Sequence, residues 1–137
     1  MWWVYALLSA FFAALTAIFA KIGIKGVDTD LATAIRTVVI LIIAWGIAFI
    51  RGGASTFPSL SRQNLIFICL SGVATGLSWI FYFKAMQLGK VSQVAPVDKL
   101  SVALAIIIAA VFLGEPLTAK TAIGACLIIG GTLVLIL

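Results

Sequence analysis

Five ionisable side chains fall inside apolar stretches of this chain: Lys21, Arg36, Lys84, Asp98 and Lys99. Asp98 is the one carboxylate deep in such a stretch. A charge at the centre of a hydrocarbon layer costs roughly 2.5–3.5 kcal/mol on insertion scales, so groups of this kind face one another or a wet cavity. The chemistry open to them is binding. Asp98 is too short to reach water from its depth, so it pairs with a Lys or Arg, holds a bound cation or lines a polar cavity. Lys21 and Lys84 are shallow enough to snorkel. For Arg36 two readings stand, snorkelling or a fork on Asp98. Lys99 is turned about 100° from Asp98 on a helix, so only one of the two points squarely at a given axis. Enzymatic chemistry is not expected: the chain has no histidine, no metal-like cluster and no nucleophile–base pairing that helical spacing could assemble. No cofactor is expected either.

Milder polarity lines up with these charges. Ser71, Thr75, Ser78 and Tyr82 recur at steps of three and four, as do Ser9, Ala13 and Thr16, which gives each of the two helices one wetter face. Trp79, Phe81, Tyr82 and Phe83 add aromatic surface beside it. Trp79 lies deep enough to pack or to meet a solute, whereas Trp2, Trp3 and Phe83 suit an interfacial belt. The candidate solute-binding set is therefore Asp98, Arg36, Lys99, Lys84, Lys21, Ser78, Trp79, Tyr82 and Thr75.

The elements that carry these residues are apolar stretches at about residues 3–24, 31–50, 62–88, 91–113 and 118–137. At about 1.5 Å per residue, each is long enough to cross a hydrocarbon layer of about 30 Å, where every backbone group must be paired within the segment. With 64% hydrophobic residues, 9% charged residues and a mean hydropathy of +1.30, a soluble domain is excluded. The fold class is all-α, a polytopic bundle of five transmembrane helices in a single domain over residues 1–137. Its first partner is the lipid bilayer. The nine Lys and Arg against four Asp and Glu give a net charge of +5. They sit singly, without a basic face, so no nucleic acid is expected. Met1-Trp2-Trp3 offers no cationic region and the first stretch is longer than a signal core, so it is expected to stay as the first span. Cys69 and Cys126 read as packing residues.

Punctuation fixes the joints. Asp28 and Asp30 suit the start of the second span, Ser61 the third and Thr118 the fifth. Residues 51–62 have the Gly, Pro and Ser content of a solvated loop. Pro96 should bend the fourth span or leave a short unwound piece. Small residues at helical spacing, Gly72 with Gly76 and Ala122 with Cys126 and Gly130, mark faces where two helices can approach closely, and Gly124 and Gly131 add a second pair on the fifth span.

Five spans put the termini on opposite sides of the membrane. Calling the N-terminal side A, all five deep ionisable residues lie in the side-B half. Flanking Lys and Arg number close to even: Arg51, Arg62 and Lys120 on side A, and Lys21, Lys25, Lys84 and Lys90 on side B. Two outcomes stay open, insertion in both directions or one fixed orientation with side A cytoplasmic.

The opening Trp3-Val-Tyr-Ala-Leu-Leu-Ser-Ala-Phe-Phe, the stretch Val94-Ala-Pro-Val-Asp-Lys-Leu-Ser101 and the junction Phe112-Leu-Gly-Glu-Pro-Leu-Thr118 resemble the EamA domain of the drug/metabolite transporter superfamily, over nearly the whole chain. Most members of that family resemble two such five-helix units fused in inverted orientation. The resemblance thus implies a half-unit that self-associates, a secondary transporter of a small metabolite or drug-like solute working as a homodimer, antiparallel in one version, by alternating access in a prokaryotic inner (cell) membrane. Gly124, Leu127, Ile128 and Gly131 resemble the dimer contact on the last helix of small multidrug resistance transporters. Those pumps carry a glutamate in helix one where Ala13 stands here, so their coupling chemistry is not implied. The basic cluster is more similar to the anion-binding residues of the sugar-phosphate branch. The rival reading is a non-transporting scaffold or lipid-interacting subunit.

Overall fold

A computed structural model describes residues 1–137. It has no strand, and five helical segments are long and apolar enough to cross a membrane. The helices are α1 (Trp2–Gly23), α2 (Thr29–Ile50), α3 (Arg62–Leu88), α4 (Val91–Asp98), α5 (Leu100–Phe112) and α6 (Ala119–Ile136). The fourth span is the pair α4–α5. Two compact units divide the chain, one of Met1–Phe19 with Leu88–Leu137, the other of Ala20–Gln87.

Local chemistry sets the starts. The Asp28 carboxylate accepts from the N–H groups of Asp30 at 3.0 Å and Leu31 at 2.9 Å, which satisfies two of the free donors at the start of α2. Ser61 Oγ accepts from Asn64 N at 3.1 Å, and Thr118 Oγ1 from Thr121 N at 3.2 Å. All three caps are the ones expected. Gly26 and Gly114 take φ of +77° and +66° after α1 and α5, a left-handed turn that a Cβ would disfavour.

Two segments differ from expectation. Residues 51–62 are largely exposed, as a solvated loop should be, and within them Gly53–Ser59 forms a 3₁₀ helix that was not expected. Ser55, Thr56 and Ser59 donate their hydroxyls to the carbonyls three residues back, Gly52, Gly53 and Thr56, at 2.6–2.7 Å. The loop's small polar residues are thus what shape it. The fourth span is interrupted as Pro96 predicts, but at Lys99, three residues further on. Pro96 cannot donate to Ser92, and its own carbonyl receives Lys99 N at 3.0 Å and the Thr132 hydroxyl of α6 at 3.2 Å. The Val102 N–H closes on Lys99 O at 3.0 Å, so the joint is a tightened, i to i+3 turn rather than open chain.

Burial is sparse, as expected where lipid is the solvent. In the Met1–Phe19/Leu88–Leu137 unit, α6 packs on α4 and α5, and Ala103 and Thr132 are buried. In the Ala20–Gln87 unit, Phe83 and Met86 are the large side chains shut off completely, and Ile24, Thr29 and Thr33 are buried as well. Thr33 and Thr37 return their hydroxyls to carbonyls four residues back at 2.8 Å, so these two hydroxyls need no external partner. Because Thr132 supplies the cross-helix donor at the Pro96 joint, Thr132→Val should lower stability in denaturant titration of the purified protein by about 1 kcal/mol. Thr132→Ser, which keeps the hydroxyl, should lose less.

Candidate functional site

The Ala20–Gln87 unit gathers most of the candidate residues. Arg36 projects from the second turn of α2 onto α3. Its guanidinium carbon lies 4.1 Å from the centroid of the Phe83 ring and 5.5 Å from that of Trp79. Both fall within the range in which a ring's negative face attracts a cation. The Tyr82 ring meets Phe83 edge-on at 5.5 Å. The Nη1 of Arg36 is buried without a hydrogen-bond partner. A guanidinium seated on rings but lacking an acceptor retains both an unmet charge and an unmet donor.

The far ends of α1 and α3 are tied by reciprocal polar contacts. Lys21 donates its ammonium to the carbonyl of Met86, one of the last carbonyls of α3, which have no partner inside the helix. Gln87 donates its side-chain amide to the carbonyls of Val27 at 2.9 Å and Ile24 at 3.5 Å, in the turn that follows α1. Lys21, Lys25 and Gln87, with Ile22 and Ile24, line a cavity of about 490 Å³. It is the basic recess of this unit. Another groove, about 280 Å³, lies between α2 and the 3₁₀ helix beside Trp45 and Phe57 and is lined by no ionisable group. Lys84 is exposed.

Polar residues earlier along α3 are plainer. Ser71, Thr75 and Ser78 are exposed, and Thr75 closes its hydroxyl on the Ser71 carbonyl at 2.9 Å, within its own helix.

Asp98 and Lys99 belong to the other unit, at the joint between α4 and α5. The Asp98 carboxylate accepts from Lys99 Nζ at 3.2 Å. Of the four cations considered for it, this adjacent one is engaged, at the turn that Lys99 closes between α4 and α5. Lys99 is 58% and Asp98 35% exposed at the side chain, so the pair is accessible.

Along α6, Gly124 and Ile128 are half-buried while Leu127 and Gly131 are exposed. A methyl added at Gly124, Gly130 or Gly131 would meet nothing within 4 Å. A helix-interior glycine weakens a helix by roughly 1 kcal/mol relative to alanine, and no close contact within the chain offsets it here.

Two contributions escaped the reading of the residues. Phe83, expected at an interfacial belt, is the buried seat of Arg36, and Gln87 is the clasp on the turn after α1. Trp79, Phe83 and Gln87 are spaced i, i+4, i+8 and share one face of α3, which is the signal that finds them.

Comparison with known proteins bears on this geometry. The family model described as the EamA-like transporter family matches residues 1–137. A Sinorhizobium protein described as an uncharacterized transporter in the cobO 3′ region is 45% identical over 134 residues, covering 98% of this chain and 95% of the relative. No solved structure matches.

Proposed function

Since the chain belongs to the EamA-like transporter family, we propose that it is a secondary transporter of a small solute that works as an antiparallel homodimer by alternating access. The observation that carries the reading is a whole-chain family match on a chain of five spans, with an accessible acid–base pair at a broken fourth span. Helices interrupted near mid-membrane are where transporters place their binding residues, because the free backbone groups and polar side chains there serve a solute. Asp98 and Lys99 occupy such an interruption. Arg36, Trp79 and Tyr82 supply a charged and aromatic surface, and Lys21 and Lys84 add positive potential toward side B. Two copies inserted in opposite senses would together reproduce an inverted repeat, the arrangement from which rocking between outward- and inward-open states is built.

The association face is α6. Its glycines lack a reason within the chain, and Gly124, Leu127, Ile128 and Gly131 present a half-exposed stripe on which a second α6 can lie closely. Gly131→Leu should shift the purified protein from dimer to monomer in crosslinking through Cys126 and in size-exclusion chromatography. Its helical content should stay unchanged by circular dichroism, because a side chain at Gly131 meets open space within the chain. A full dimer yield from Gly131→Leu would remove α6 as the contact.

The transporter reading itself is tested by ligand stabilisation. A thermal-shift screen of the purified protein against metabolites and cationic drugs, at two pH values, should find a compound that raises the apparent midpoint, since a ligand bound only by the folded state stabilises by mass action. That compound should then be exchanged across proteoliposomes. Binding without exchange would favour the scaffold reading.

A further inference from the structure

Arg36 is the group whose surroundings leave most unexplained. Its guanidinium is anchored from beneath, because Phe83 is almost fully buried and its ring centroid lies 4.1 Å from the guanidinium carbon. The residue as a whole is only half-buried, while its Nη1 is buried and lacks an acceptor. The acids of the same unit, Asp28 and Asp30, stand at the start of α2, where Asp28 caps the helix. They lie about six to eight residues, roughly 9–12 Å of helix rise, from Arg36. The unit holds six Lys and Arg against those two acids. Beside the fork stand Trp79 and Tyr82, both half-buried and therefore partly open. A planar donor fork with no counter-charge, next to accessible aromatic surface, matches a molecule with a planar oxyanion at one end and an apolar body behind it.

We propose that Arg36 is the anchor for the carboxylate of an organic-acid solute whose apolar body lies against Trp79 and Tyr82. The inference rests on the solute-transporter reading and names its substrate class. A carboxylate that reaches the guanidinium supplies the missing counter-charge and an acceptor for Nη1, in a two-pronged contact that a lysine cannot reproduce. The aromatic wall distinguishes an organic acid from inorganic phosphate, which has no apolar part to bury. The same oxyanion chemistry on a lipid headgroup is the competing source.

The test uses the full chain with Trp2, Trp3 and Trp45 replaced by Phe, so that Trp79 reports alone from its place beside the guanidinium. In phosphatidylcholine nanodiscs, hexanoate should change Trp79 emission saturably, and hexanamide, which keeps the shape and loses the charge, should need at least about ten times the concentration. Arg36→Lys should weaken the hexanoate response about tenfold or more. Equal responses to hexanoate and hexanamide, or no saturable response to hexanoate, would overturn the proposal. So would an inorganic phosphate response as strong as that to hexanoate, or loss of the hexanoate response when phosphatidylglycerol is included, which would make the lipid headgroup the partner. Should Arg36→Lys fail to fold, the hexanoate–hexanamide comparison on the chain with Arg36 intact decides alone. The two readings also fail separately. Charge-selective binding without hexanoate exchange across proteoliposomes would leave the Arg36 anchor standing and remove the transport reading. Unimpaired exchange of a screened solute by Arg36→Lys would do the reverse.

Discussion

Asp98→Asn should stop solute exchange while leaving the chain folded. Asn keeps the size and the polar end of Asp and loses the charge, so the turn at Lys99 and the Thr132 contact to Pro96 can persist. The stability change should be small, under about 1 kcal/mol, because an ion pair as open as Asp98–Lys99 contributes little to folding. Function is another matter. Asp98 is the carboxylate that the span sequence places well inside the membrane, and a carboxylate there is retained against its insertion cost only for a task that needs the charge. Exchange in proteoliposomes, at matched protein and with a solute found by thermal shift, should fall more than about tenfold, a loss of about 1.4 kcal/mol or more in the limiting step. An Asp98→Asn rate equal to that of the unsubstituted protein would exclude a coupling or binding role and leave Asp98 as a partner for Lys99 only.

Much of the architecture was legible because the bilayer imposes one requirement on every span. Length and apolar content located all five, and side-chain oxygens at Asp28, Ser61 and Thr118 located three starts, since capping depends on a few neighbouring residues. The consequence of Pro96 was legible in kind but not in place. At the break the Pro96 carbonyl accepts the hydroxyl of Thr132, which is 36 residues away in sequence and so invisible to local pattern. The 3₁₀ helix at Gly53–Ser59 was hidden for the opposite reason, because Gly, Pro and Ser usually mark irregular chain and only the regular back-bonding of three hydroxyls orders it. At the candidate site, charge and depth drew attention to Arg36 and Asp98. The ring beneath Arg36 was missed because Phe83 is one of nine Phe residues in a chain where aromatic side chains are common at interfaces.

Dual insertion is the second large expectation, and it decides whether one five-span unit can build a two-sided transporter from a single kind of chain. Orientation follows Lys and Arg near the ends of spans, while Asp and Glu contribute little. The structure bears on which residues count. Lys21 reaches the Met86 carbonyl, two residues before the end of α3, which supports counting its ammonium with the charges that flank the span. Side B then holds Lys21, Lys25, Lys84 and Lys90 against Arg51, Arg62 and Lys120, a difference of one charge. So small a bias is expected to give two populations. Adding four Lys beside Ser55, which turns the deficit of one into an excess of three, should therefore fix side A in the cytoplasm and abolish exchange, because no oppositely inserted partner remains.

The most direct measurement is the accessibility of Ser55 in intact cells. Cys69 and Cys126 are both exposed and are replaced by Ala. Ser55 is exposed in the 3₁₀ helix between α2 and α3, so Ser55→Cys gives one reactive thiol on side A. With a membrane-impermeant maleimide, about half of the protein should react before permeabilisation and all of it afterwards, as two oppositely inserted populations require. Reaction of all or of none before permeabilisation would show one fixed orientation and contradict the antiparallel homodimer.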